Sequence, residues 1–142
     1  MKKILFITII SSNLLFSQNT DFEGFMNFSY SDNSGKIHLE VSNLNKEFLY
    51  VNSLSRGIGN NDLGLDRGQL GNTRIVFFSK RGNKILLIQP NTRYISNSDN
   101  YLENKAVEEA FARSVLFSFE IVEEKNNNYI IDLTPFLIND AH

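Results

Sequence analysis

The chain has 142 residues, a formal net charge of −2 and 12 phenylalanines, with no tryptophan and no cysteine. That length suits one domain whose core needs no covalent staples, and the missing cysteines exclude disulfides, thiolate zinc sites, cysteine nucleophiles and a lipoprotein anchor. The slight acidic balance, with lysines and arginines scattered, offers no field for nucleic acid or for an anionic membrane.

Met1-Lys2-Lys3 is basic, Ile4 to Ile10 is apolar and resumes at Leu14-Leu15-Phe16, and polar sequence begins at Ser17. This is the order of a secretory signal peptide, residues 1–17, with cleavage expected after Ser17. Ser11, Ser12 and Asn13 interrupt the run too early for a membrane span. The expectation is an exported protein, periplasmic, cell-surface or extracellular, with residues 18–142 as one domain and no membrane attachment after cleavage.

Gly24–Tyr30 reads as a strand, Ser31–Gly35 as a turn, and Lys36–Val41 as the hairpin partner, with Ile37, Leu39 and Val41 on its buried side. Phe48–Val51 is apolar on both faces and reads as a central strand. Ser53–Thr73 has no apolar period and holds Gly57, Gly59, Gly64, Gly68 and Gly71. A loop this long in a compact domain is a functional candidate. Arg74–Lys80 and Lys84–Pro90 are two strong strands around Arg81-Gly82-Asn83, where Gly82 suits a left-handed turn position. Ile85–Ile88 again reads as central, and Lys80, Arg81 and Lys84 read as a solvated hairpin tip. Asn100 with Glu103 makes a capping-box pattern ahead of an amphipathic helix over Leu102–Arg113, with Val107, Ala110 and Phe111 as the side packed on the sheet. Phe117–Ile121 alternates as a strand, Lys125–Asn128 turns, Tyr129–Leu133 returns, and Pro135 suits the start of a last helical turn. The class expected is α+β: a mostly antiparallel β-sheet of about seven strands, as a partial barrel or a sandwich, with one amphipathic helix and a long Gly-rich loop.

Catalytic patterns are scarce. The two histidines are His38, on the polar face of a strand, and His142; neither has the i, i+4 partner of a zinc helix, and no G-x-S-x-G elbow exists. Gly57-Ile58-Gly59 starts like a dinucleotide fingerprint, but Asp62 stands where the third glycine belongs. Asn60, Asn61, Asp62 and Asp66 have oxygens for calcium without EF-hand spacing; as plain turn formers they bond their own backbone. Asp66-Arg67 also suits an ion pair with a neighbour. The candidate interaction surface is the loop itself: Gly57, Gly59, Asp62, Leu63, Leu65, Asp66, Arg67, Gly68 and Leu70. Leucines interleaved with an acid–base set must bury somewhere, either on this domain's own sheet as an Ω-loop or against a docking partner.

Phe48 to Arg74, FLYVNSLSRGIGNNDLGLDRGQLGNTR, together with AVEEAFARSV, VLFSF near Val115 and the final TPFLINDAH, resembles the N-terminal domain, of unknown function, of large secreted bacterial zinc-dependent metalloproteases of metzincin type. Arg56 stands where that pattern has a small residue, and Phe117-Ser118 where it has Trp-Gly. The resemblance implies a non-catalytic accessory or docking domain whose partner is the downstream metalloprotease region. It implies zinc only in the catalytic domain; the extended H-E-x-x-H-x-x-G-x-x-H helix is missing, so no catalytic, metal or cofactor residue carries over to this chain. On this reading the chain is an N-terminal fragment. The other reading is a free-standing extracellular or periplasmic binding module.

Overall fold

The computed structural model describes residues 19–57 and 66–138. The signal segment, and Gly59, Asp62, Leu63 and Leu65 of the candidate loop, lie outside the described residues. The described elements are β1 (Asn19–Phe22), β2 (Phe28–Ser31), β3 (Lys36–Val41), β4 (Phe48–Tyr50), β5 (Arg74–Arg81), β6 (Lys84–Gln89), α1 (Tyr101–Ala110), β7 (Ser114–Lys125), β8 (Asn128–Asp132) and α2 (Thr134–Leu137). All strand pairs are antiparallel, and they form one open sheet in the order β1-β2-β3-β8-β7-β6-β5-β4.

The sheet has eight strands rather than seven. The added one is β1, whose sequence NTDF is exposed at every position and therefore shows no apolar alternation. The segment Gly24–Asn27, expected as strand, bends between β1 and β2. The hairpins form where residues tolerate left-handed backbone: Gly35 (φ 65°) between β2 and β3, Gly82 (φ 58°) between β5 and β6, and Asn126-Asn127 (φ 49° and 68°) between β7 and β8.

A larger correction concerns β4. Apolar on both faces, it was expected at the centre of the sheet, yet it is an edge strand. The only link between β3 and β4 is residues 42–47, and these strands stand five places apart in the sheet order. In a flat sheet that separation is about 24 Å, which such a link would span only if fully extended. Instead it turns at Asn45 (φ 57°), whose N–H donates to the Phe78 carbonyl of β5 at 2.7 Å. The sheet must therefore curl. Strand β7 makes the bend: Ser114–Glu120 pair with β6, Ile121–Lys125 pair with β8, and register shifts interrupt both ladders.

The concave face holds the core. Leu39 and Val41 of β3, Val76 and Phe78 of β5, Ile85 and Leu87 of β6, Phe119 of β7 and Ile131 of β8 form one buried cluster. Helix α2 closes one end with Phe136, whose ring packs at 5.3 Å from Phe117, 5.8 Å from Phe119 and 5.8 Å from Tyr50. Asp132 seats this helix. Its Oδ1 accepts from the Thr134 N–H at 3.0 Å and its Oδ2 pairs with Lys36 at 3.0 Å. Burial pushes this carboxyl's pKa up, but the Thr134 and Lys36 bonds outweigh it and hold the value below the usual one. Arg81 and Lys84 are exposed at the hairpin tip as expected, and Lys80 beside them is half-buried. It lies across the concave face, paired with Glu124 and 4.4 Å from the centre of the Tyr129 ring, and the Glu124 hydrogen bond raises its pKa.

Helix α1 begins where the sequence expects. Asn100 accepts from the Leu102 N–H at 3.0 Å and its amide reaches the Glu103 carboxylate at 3.4 Å. It ends three residues early and buries no side chain; Val107 is half-buried and Ala110 is exposed. Phe111, expected on the sheet, is 39% exposed and stacks instead on Tyr94 of the preceding loop at 4.2 Å.

Candidate functional site

The Gly-rich segment continues a hairpin. Beyond the β4–β5 pair the two arms of the chain stay side by side as a ribbon. The Gly71 N–H donates to the Asn52 carbonyl (2.8 Å), the Leu54 N–H to the Gln69 carbonyl (3.0 Å), and the Gly68 N–H to the Leu54 carbonyl (2.7 Å). Ser53 faces Leu70 between these bonds. From the Tyr50–Arg74 pair to the Ser53–Leu70 pair the second arm takes one residue more than the first, which is a bulge. Sequence periodicity misses this ribbon because its cross-arm bonds are backbone bonds, which no side-chain pattern reports.

Two glycines shape it. Gly68 adopts φ 83°, a conformation costly for any residue with a Cβ, and lets the Gln69 N–H close a turn on the Asp66 carbonyl at 3.1 Å. At Gly71 a Cβ would stand 2.1 Å from Asn52 Oδ1, so the Asn52 side chain lies in the space that the missing atom leaves.

The ribbon presents an apolar stripe. Phe48 and Val76 are cross-strand partners turned to the core, so Leu49 and its partner Ile75 stand on the opposite face. Val51 and Ser53 follow on that face by alternation, and Leu70 joins them as the partner of Ser53. Leu49 is 72% and Leu70 68% exposed, with Val51 and Ile75 also exposed. Of the two places expected for Leu70, the domain's own sheet does not cover it. Gly57, Asp66, Arg67 and Gly68 are exposed too. Arg56, Gly57, Asp66 and Arg67 line one cleft with Ser55, and no salt bridge among the described residues involves Asp66 or Arg67. Sequence reasoning missed Leu49, Val51 and Ile75, since apolar residues on both faces of a strand signal an interface as readily as a centre.

Two other surfaces have features of sites. A groove between α1 and the convex face of β5 has Phe77 at its floor and Tyr94, Val107 and Phe111 along its wall, with Glu47 and the Glu108–Arg113 ion pair at its rim. His38 lies on the polar face of β3 among Asp21, Glu23 and Glu40. No group of three histidine, cysteine, aspartate or glutamate side chains placed to hold a metal ion is present among the described residues.

A family model described as "Domain of unknown function (DUF5117)" matches residues 68–142, just over half of the chain. The matched span starts on the second arm of the ribbon and runs through β5, β6, α1, β7, β8 and α2. No curated protein and no solved structure matches the chain.

Proposed function

We propose a docking role for this domain, from the premise that the chain belongs to the DUF5117 family. The domain is non-catalytic, and its partner is the metalloprotease region that lies downstream in the full-length relatives to which Phe48–Arg74 bears its resemblance. One observation carries the reading: Leu49, Val51, Leu70 and Ile75 form a contiguous exposed stripe beside a strand edge. Exposed apolar stripes rimmed by polar residues mark interaction surfaces in soluble domains. Arg56, Asp66 and Arg67 supply that rim. The signal-like N-terminus supports export, and on this reading zinc belongs to the partner region.

The test is calorimetric titration of this chain with that downstream region, taken from a full-length relative and produced separately. The Leu49→Asp, Leu70→Asp double variant is expected to lose at least about 3 kcal/mol of binding, since two central apolar contacts become desolvated charges. Its melting transition should stay intact because both residues are exposed. Unchanged affinity would sink the proposal.

A second reading, a free-standing extracellular binding module, draws its support from the groove floored by Phe77. A ligand seated there would bind the double variant as well as the parent chain, which separates the two readings.

A further inference from the structure

We propose that the free edge of the ribbon, from Leu49 to Ser55, receives an extended peptide segment as an added strand, and that this segment carries carboxylates where it passes Arg56 and Arg67. The inference rests on the docking reading above and specifies how the partner is held.

The backbone sets the direction. Along the first arm, Asn52 and Leu54 spend their hydrogen bonds on the second arm. In an antiparallel ladder the intervening residues point their N–H and C=O groups the other way. Those of Leu49, Val51 and Ser53 therefore face the open side, where no strand lies among the described residues. Phe48 to Ser55 contains no charge and no proline. Sheet edges that remain unpaired are ordinarily blunted by such residues. The opposite edge follows that habit, with Asp21 inside β1 and Glu23 directly after it. One edge of this sheet is protected and the other is left available, which is the condition for strand addition.

The side chains specify the guest. On the convex face an added strand meets Leu49 and Val51. On the concave face it meets a small slot beside β4 where Phe25, Met26, Phe48 and Phe78 supply apolar surface and Lys46 and Glu47 a charged side. A guest strand thus needs apolar residues on both faces near β4. At the other end, Arg56 and Arg67 share a cleft with one described carboxylate, Asp66. Guanidinium forks bind carboxylates in two-point geometry, so the guest is acidic where it leaves the apolar stretch.

The probes are three synthetic peptides: an alternating valine and leucine core, apolar on both faces, ending in aspartates; the same core ending in lysines; and the aspartate peptide broken by a central proline. The aspartate peptide is expected to bind and to slow amide exchange at Val51 and Ser53 by about tenfold or more. The lysine peptide should bind about tenfold more weakly, and the proline peptide should not bind. In the Arg56→Glu, Arg67→Glu variant the preference between aspartate and lysine ends should reverse. Absence of binding by the aspartate peptide, binding without slowed exchange at Val51 and Ser53, or a preference indifferent to the charge reversal overturns the proposal. So does a dimer of this chain, seen in sedimentation, that the peptide fails to dissociate. If the downstream region binds in a Leu49-dependent manner while those two amides exchange unslowed, strand addition fails and docking stands. If the region does not bind at all, the docking reading itself fails.

Discussion

Gly71 and Asn52 show how little room a ribbon of this kind leaves. A methyl group at Gly71 would force the Asn52 side chain to rotate out of its half-buried position. Gly71→Ala is therefore expected to speed amide exchange at Leu54 and Gly68, whose bonds lie outward of that point, while global stability changes by about 0.5 kcal/mol or less. Asn52→Ala in the same background should restore the slow exchange. If the single variant exchanges like the parent, the close approach is not what holds the arms together. Burial decides the outcome for the aromatic residues. Phe119 is 2% exposed and touches the rings of Phe78, Phe117 and Phe136, so Phe119→Ala should cost about 3–5 kcal/mol in urea melts. Phe111 is 39% exposed and stacks on Tyr94, and Phe111→Ala should cost about 1 kcal/mol. Equal losses would mean that α1 is bound to the sheet as firmly as β7 is.

Helix α2 is an element whose hold on the sheet depends on pH. The Asp132 carboxylate accepts from the Thr134 N–H at its start and pairs with Lys36, and its pKa is lowered in the folded chain from a usual value of 3.8. A depressed carboxyl contributes stability that is present above its unfolded value and is lost as pH falls through its folded value. Asp132→Asn keeps an acceptor for Thr134 but removes the charge. It should lower stability near neutrality by about 1 kcal/mol or less, given partial exposure, and its stability curve should meet that of the parent chain in acid below both values. Parallel curves down to that acid limit would show that the charge contributes nothing. The sequence makes some elements plain and hides others for physical reasons. Strand β3 is legible because Ile37, Leu39 and Val41 recur at every second position on its more buried face, and β5 and β6 because Val76–Ser79 and Ile85–Ile88 are compact runs buried or half-buried on both faces. Asn100, Gly82 and Pro135 are legible because each does a local backbone task. Strand β1 is not, because all of it is exposed. The position of β4 is misread because Leu49 and Val51 are apolar toward solvent, and the ribbon is missed because Asn52, Leu54, Gly68 and Gly71 hold it through main-chain atoms. Of the candidate surface, the sequence named Leu70, as a residue that must bury somewhere, but not the neighbouring Leu49 of β4.

For the molecule as a whole, the bend in β7 and the link over residues 42–47 turn an open sheet into a curved one with a single core and two unlike edges. The acidic edge at β1 repels addition, and the uncharged edge at β4 invites it. The join between β3 and β8 has a different consequence. Strands β4 to β8 follow one another in the chain, each lying beside its predecessor. The β3–β8 pair instead brings together groups as distant as Glu40 and Asn128, whose side chains bond across 88 positions. Closing so long a segment carries a chain-entropy cost that a tight hairpin such as Arg81–Lys84 avoids. Non-local pairings of this kind form slowly. The N-terminal meander β1–β3 is attached covalently through residues 42–47, pairs with β8 along β3, and reaches β4 through the Phe25 and Phe48 rings. On this topology β4–β8 is expected to assemble first from near neighbours and β1–β3 to close onto it afterwards, so refolding followed by pulsed amide exchange should protect Ile85 and Leu87 before Leu39.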